Sequence, residues 1–224
     1  MRREYHIDML VSGQQAQATL SERGPKARTR KLMLQAAIQL MQSGITPSVT
    51  EVAEAAEVSR ATAYRYFPSQ AALVQAVVDE ALGPILKWRS KANDPKKRIN
   101  DLLKTSMPRI DEFEATFRAA LKLSLDQWAQ RQAGTLGSEP RFRRGHRVDL
   151  LRDATAPLEG SIPPEKRLRL EQALSLVFGV ETLVVLKDIW GLTVSEAQAV
   201  AEWAAAALVD ATLGETGSKI AESG

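Results

Sequence analysis

The 224-residue chain contains no cysteine and only two histidines, His6 and His146. The first absence excludes disulfides, thiolate metal sites and a cysteine nucleophile. The second leaves histidine-based zinc sites and histidine-dependent catalytic triads short of material. Aromatic residues make up 5% of the chain. Apolar runs fall far short of the ~20 residues a membrane-spanning helix needs, and the N-terminus lacks the apolar core of a signal peptide. No glycine-rich loop suited to cradling a phosphate occurs, and the carboxylates are scattered. These absences predict a cytoplasmic protein with no membrane segment that is not an enzyme: no catalytic residue, no metal ligand, no cofactor. What is present, 44% apolar and 25% charged residues, suits a globular protein of one large or two modest domains.

The charge is unevenly placed. Residues 1–70 carry nine Lys/Arg against six Asp/Glu, while the remainder is balanced at 21 of each. Arg23, Lys26, Arg28, Arg30 and Lys31 lie close together. A basic excess at one end hints at nucleic acid, although a solvated face is the plainer reading.

Residues 1–24 show little periodicity and predict a mobile arm. Helical spacing begins at Lys26 and places Leu32, Ala36, Ala37, Leu40 and Met41 on one face up to Ser43. Gly44 suits a C-terminal cap, because it accepts positive φ without a Cβ clash. Ser48-Val-Thr-Glu51 is a capping box, in which hydroxyl and carboxylate satisfy each other's free amides. It opens a short helix with Val52, Ala53 and Ala56 facing in. Glu57-Val58 forms the turn, and Ser59 caps a second short helix running to about Tyr66, where Pro68 forces an exit. Ser69 caps a long helix bearing Leu73, Val74, Val77, Val78 and Leu82. Helix, tight turn, helix at this spacing is a helix-turn-helix.

The second helix mixes polar heads with aromatics, as suits one side packed and the other against an anionic partner. Arg60 can fork onto guanine O6 and N7, Thr62 can reach a base edge, and the Ala61 methyl can touch thymine. Tyr64, Arg65 and Tyr66 can fix register on phosphates, while Phe67 turns back into the core.

Residues 28–75 resemble the N-terminal DNA-binding domain of the TetR family of bacterial transcriptional regulators. The stretches "SVTEVAEAAEVS", "RATAYRYFPS" and "AALVQAV" carry the likeness. The resemblance implies backbone contacts from Ser48 and Thr50, and base reading by Arg60, Ala61 and Thr62. It implies backbone or methyl contacts from Tyr64 and Tyr66. Ser59, Arg65, Lys26 and Arg28 complete the expected DNA face. Two departures stand out: Glu57 occupies a turn position that is often Gly, and Gln70 a phosphate-contacting position that is often Lys.

The rest of the chain reads as helices, from starts near Asp94-Pro95, Asp111, Pro140, Pro163-Pro164 and Thr193. The expectation is an all-α chain of about nine helices. It divides into an arm (1–24), a helix-turn-helix domain (25–75), a regulatory and dimerisation domain (76–213) and a flexible tail (214–224). One helix from Glu165 to Trp190 is apolar nearly all round, and an Ala-rich helix runs from Val194 to Leu213. Together they can form half of a four-helix bundle with a second subunit, through Leu174, Val177, Leu183, Val184, Ala197, Ala201, Trp203, Ala204 and Leu208.

As the resemblance implies, the remaining helices surround a pocket for a small hydrophobic effector. Met107, Phe113, Phe117, Leu121, Trp128 and Phe178 are candidate lining, each also readable as plain core. Glu181 either anchors an effector or is partnered by an arginine. Arg141, Arg143, Arg144 and Arg147 with His146 either bind an anion or form a solvated helix face. The function implied is a dimeric DNA-binding repressor on a palindromic operator, released by an effector. The alternative is a dimer without a small-molecule site, controlled by a protein partner or by abundance.

Overall fold

The computed structural model describes residues 24–142 and 145–221. The expected arm therefore lies outside the described residues except for Gly24, as do Arg143 and Arg144 of the basic cluster. Among the described residues the fold is all helical, with ten α-helices and no strand. Four helices make up the N-terminal part: α1 (Pro25–Gln42), α2 (Val49–Ala55), α3 (Arg60–Tyr66) and α4 (Gln70–Leu82).

The local chemistry of these four helices follows the chain closely. At the end of α1 the Gly44 N–H donates to Met41 O (2.9 Å) and the Ile45 N–H to Leu40 O (3.1 Å), with Gly44 at φ 81°. This paired closure needs a left-handed residue, which glycine supplies. In α2 both halves of the capping box form: the Ser48 N–H donates to Glu51 Oε2 (2.7 Å) and the Glu51 N–H to Ser48 Oγ (3.2 Å). Ser59 caps α3 through the Thr62 N–H, and Ser69 caps α4 through the Ala72 N–H.

Packing of α1 follows the expected stripe at Ala36, Ala37 and Met41 but departs from it at Leu32. Met33, Leu34, Ala36, Ala37 and Met41 are buried, whereas Leu32 is exposed. The helix serves three neighbours, α2, α4 and α6 (Glu114–Gln132), so its buried face is wider than a single seam. Ala53 and Ala63 are fully buried where α2 meets α3, and Phe67 is buried behind them. Full burial of a side chain of that size contributes about 1.5–3 kcal/mol.

The second part contains α5 (Pro95–Glu112), α6, α7 (His146–Thr155), α8 (Pro164–Leu174), α9 (Val180–Leu183) and α10 (Val194–Ala221). Between α9 and α10 a π-helical turn spans Val184–Ile189. The long α5 and α10 pack along each other, and α7 and α8 cover their flanks. The expected single helix from Glu165 to Trp190 is broken at residues 175–179. Gly179 sits at φ 117°, and a Cβ there would collide with the Arg147 guanidinium. The chain opens at that point to let Arg147 cross to Glu181. Two further boundaries differ. The helix expected near Pro140 starts at His146, because the buried Gln127 holds the preceding loop by donating to Pro140 O (3.1 Å) and accepting from the Phe142 N–H (2.8 Å). Helix α10 continues to Ala221, past Leu213.

That same loop docks on α4, which is shared by both parts of the molecule. Glu139 Oε1 accepts from the Ala71 N–H (3.4 Å), and His146 Nε2 lies 2.7 Å from Asp79 Oδ1. Gln75 Nε2 donates to the same Asp79 oxygen at 2.8 Å. The Asp79 hydrogen bond raises the His146 pKa above the ordinary imidazole range, against the opposing pull of burial and with help from the Asp79 and Asp149 charges.

Two stability outcomes follow. Glu57 sits in the left-handed region at φ 55°. A side chain there costs about 1–2 kcal/mol, and glycine loses about 0.4–1 kcal/mol more entropy on folding. Glu57→Gly should therefore raise stability by about 0.5–1 kcal/mol in urea unfolding, and a decrease would refute the strain. For His146 the raised folded pKa makes its contribution whole below the ordinary value of about 6.5, fading as pH rises through the folded value. Melting temperatures of wild type and Asp79→Asn should differ most near pH 5.5 and converge toward pH 9. A gap independent of pH would exclude the charged pair.

Candidate nucleic-acid interface

The solvent side of α2 and α3 assembles most of the residues expected to meet DNA. Helix α3 buries only Ala63, so its other side chains face outward or sit half-covered. Ser59, Arg60, Ala61, Tyr64 and Arg65 are exposed, while Thr62 and Tyr66 are half-buried. Ser59 donates to Thr62 Oγ1 (2.9 Å) while its oxygen accepts the Thr62 N–H. The Thr62 hydroxyl is thus oriented with its own proton free for an outside acceptor. Thr50 of α2 lies 3.4 Å from the Tyr64 hydroxyl, which ties the two helices together along this face.

The N-terminus of α1 joins the same surface. The Tyr66 hydroxyl donates to Lys26 O (3.2 Å), forty residues away in sequence. Lys26 and Arg28 are both exposed at this junction, beside the exit of α3. Ser48 is half-buried at the start of α2. The Glu51 carboxyl beside it is held below its usual range, first by the Ser48 N–H and then by the Ser48 hydroxyl. Its role is to cap the helix.

Gln70 does not join this face. Its amide nitrogen donates to Thr46 O (3.2 Å) and Pro47 O (3.1 Å). The amide has two N–H donors and both have an internal acceptor, so Gln70 holds the loop leading into α2 instead of reaching outward. A residue absent from the expected set also enters the face: Glu54 pairs with Arg60 at 2.7 Å. The six-residue separation gives no periodic signal for such a contact, because the turn at Glu57 reverses the chain between them.

The candidate effector residues gather as core packing, with Trp128 left outside. Met107, Phe117 and Phe178 are buried in the common core, Phe113 and Leu121 pack partly against it, and Trp128 is 57% exposed. Arg109 stacks over the Phe113 ring at 4.5 Å. The void beside Phe178, walled by Leu102, Leu103, Leu151 and Leu174, has no room for a water molecule. Glu181 is engaged by Arg147, which also donates to Ser175 O (3.0 Å). Arg147 and His146 therefore have internal partners and do not form a solvated helix face.

Several expected dimerisation residues are likewise internal. Leu174, Leu183, Ala197 and Ala201 are buried within the chain, and Val177, Val184, Ala204 and Leu208 are half-covered. The four buried ones belong to the chain's own core, which periodicity alone could not distinguish from an intersubunit seam. Trp203 does face out, at 74% exposure, together with Leu176, Ile189 and Trp190. Lys187 reaches Asp111 (2.7 Å) and Glu114 (2.5 Å), and Arg118 forks onto Asp188 with two bonds of 2.7 Å. This network anchors the polar side of the π-helical turn to the α5–α6 corner, away from the apolar side.

Among the described residues no helix is long and apolar enough to cross a membrane, and no three acidic or histidine side chains gather as a metal site. A short capped helix presenting arginine, threonine and tyrosine beyond a tight turn defines a helix-turn-helix DNA-binding protein. Residues 33–77 match the family model of bacterial regulatory proteins of the tetR family. Curated protein sequences yield no match. Among solved structures, a TetR transcriptional regulator from Rhodococcus sp. RHA1 is similar, with 22% identity and a TM-score of 0.55 over 83% of this chain and 97% of that one. A candidate fatty acid metabolism regulator from Clostridium perfringens is similar at 16% identity and a TM-score of 0.52, over 76% of this chain and 94% of that one. Residues 33–77 therefore carry a DNA-binding helix-turn-helix of the tetR regulator type, and the chain shares the all-helical fold of these solved structures.

If Lys26 and Arg28 contact phosphate, removing both should reduce the slope of log affinity against log salt by about 1–2, because each neutralised phosphate contributes about 0.9. Fluorescence anisotropy of Lys26→Ala/Arg28→Ala from 50 to 300 mM salt (about the range in which such slopes are measured) would read this. An unchanged slope would remove α1 from the interface.

Proposed function

We propose that this chain is a transcriptional regulator of the TetR family, a homodimeric, cytoplasmic repressor that reads a palindromic operator with α3. The observation that carries this reading is the outward face of that helix. Arg60 supplies the guanine fork, Ala61 a methyl contact and Thr62 a base-edge or phosphate bond. Tyr64, Arg65 and Tyr66 set the register, with Ser48, Thr50, Ser59, Lys26 and Arg28 on the backbone. Residues 25–75 form the reading head and residues 76–213 the regulatory and dimerisation unit, with α4 crossing the boundary.

Dimerisation is supported by what α8, the π-helical turn and α10 leave uncovered. Leu176 is 77% exposed, Ile189 73% and Trp190 71%. Val185, Val200 and Trp203 add to this apolar surface. Apolar area of this kind on adjoining elements is unusual for a monomer and suits a two-fold interface, where the same patch meets itself. A dimer sets its paired recognition helices about one duplex turn, ~34 Å, apart.

Binding of a small hydrophobic effector beside Phe178 requires the surrounding helices to separate first, since the void there has no room for a water molecule. Such opening shifts a population between two arrangements of the dimer, and an effector drives it only by its differential affinity for them. The closed packing favours a second reading, in which a protein partner or protein abundance sets occupancy.

Selection of bound sequences from a random duplex pool tests the central reading. A two-fold symmetric motif is expected for wild type, with discrimination at one position of each half-site relaxed in Arg60→Ala. Enrichment without symmetry would refute the dimeric reader, and unaltered selection by Arg60→Ala would refute the assignment of that residue.

A further inference from the structure

Arg60 opens the recognition helix with one anchor. Its Nη2 bonds Glu54 Oε1 at 2.7 Å, and both side chains are more than 60% exposed on the face turned to solvent. No other partner of Arg60 occurs among the described residues. Glu54 stands in the last turn of α2, where its carboxylate caps nothing and bonds no backbone group among the described residues. An exposed pair of this kind adds little to folding, and a carboxylate on a surface meeting phosphates costs affinity. Glu54 is therefore explained by neither fold stability nor charge attraction to DNA.

We propose that Glu54 is a specificity-determining residue that positions Arg60 for guanine. This rests on the reading of Arg60 as a base reader. Arginine has five N–H donors in a rigid planar fork. With Nη2 held by Glu54, the remaining donors can still address the O6 and N7 pair of guanine, the base with two acceptors side by side in the major groove. Adenine offers one acceptor beside a donor, thymine one acceptor, and cytosine a donor. A free arginine facing these bases would swing to a neighbouring phosphate and retain affinity. The tethered one must first break its ion pair and leave the Glu54 carboxylate opposite phosphates. The carboxylate thus penalises wrong sequences more than it weakens the right one.

The test compares wild type, Glu54→Gln, Glu54→Ala and Arg60→Ala on the duplex recovered by selection. The same duplex with each of the three other base pairs at the position that Arg60 reads serves as the mismatch. Circular dichroism melts confirm that each variant is folded. Wild type should discriminate by about tenfold or more, the scale of one bidentate contact. Both Glu54 variants should gain more affinity for the mismatched duplexes than for the selected one, so that the ratio falls by about fivefold. Discrimination that persists in both Glu54 variants but collapses in Arg60→Ala would overturn the role of Glu54 and leave the Arg60 reading intact. Discrimination that persists in Arg60→Ala would overturn the Arg60 reading, and the Glu54 role with it.

Discussion

The close crossing of α2 on α3 governs the rest of the reading head. Two alanines, Ala53 and Ala63, are fully buried where the helices meet, so their backbones approach without intervening side chains. The Val58 N–H closes the corner on Ala53 O at 2.9 Å, and Glu57 takes the left-handed conformation that this geometry demands. A larger residue at either alanine would separate the helices or force neighbours off their rotamers, at about 1–3 kcal/mol. The angle of that crossing fixes which α3 side chains face outward. It also places Thr50 beside Tyr64 and Glu54 beside Arg60. The binding surface is thus a by-product of a core contact.

A second constraint joins this head to the regulatory helices. Helix α4 packs on α1, α5 and α6, and the loop before α7 holds it at both ends through Glu139 and His146. Buried Gln127 fixes that loop in turn. Any movement of the regulatory helices must displace α4 or break these bonds. Motion of the C-terminal helices and motion of the helix-turn-helix are therefore mechanically linked through α4.

Legibility divided by the range of the interactions. Helix starts were plain at Ser48, Ser59 and Ser69, because a hydroxyl capping an amide three residues on is a local event. The end of α1 at Gly44 was plain for the same reason. Period alone places Ala36, Ala37 and Met41 on the buried face of α1, but the three helices packed on it bury Met33 and Leu34 and leave Leu32 outside. The unbroken helix expected from Glu165 to Trp190 failed at Gly179, where the reason for the break is Arg147, thirty-two positions earlier in the chain. Gln70 looked like a phosphate contact from its position, but its amide bonds Thr46 and Pro47 instead.

The sequence by itself determined the class of fold, the helix-turn-helix and the outward chemistry of Arg60, Thr62 and Tyr64. Those features depend on capping, turn residues and helical period, all of which act within a few positions. Only the tertiary structure decided which apolar residues are core and which are surface. Leu174 and Leu183 lie inside, while Leu176, Ile189 and Trp190 lie outside, although all are equally apolar. It also decided that Glu181 belongs to Arg147 and Glu54 to Arg60. Such pairings depend on where separate helices come to rest, and hydrophobic burial, being non-directional, leaves that choice to the packing of the whole chain.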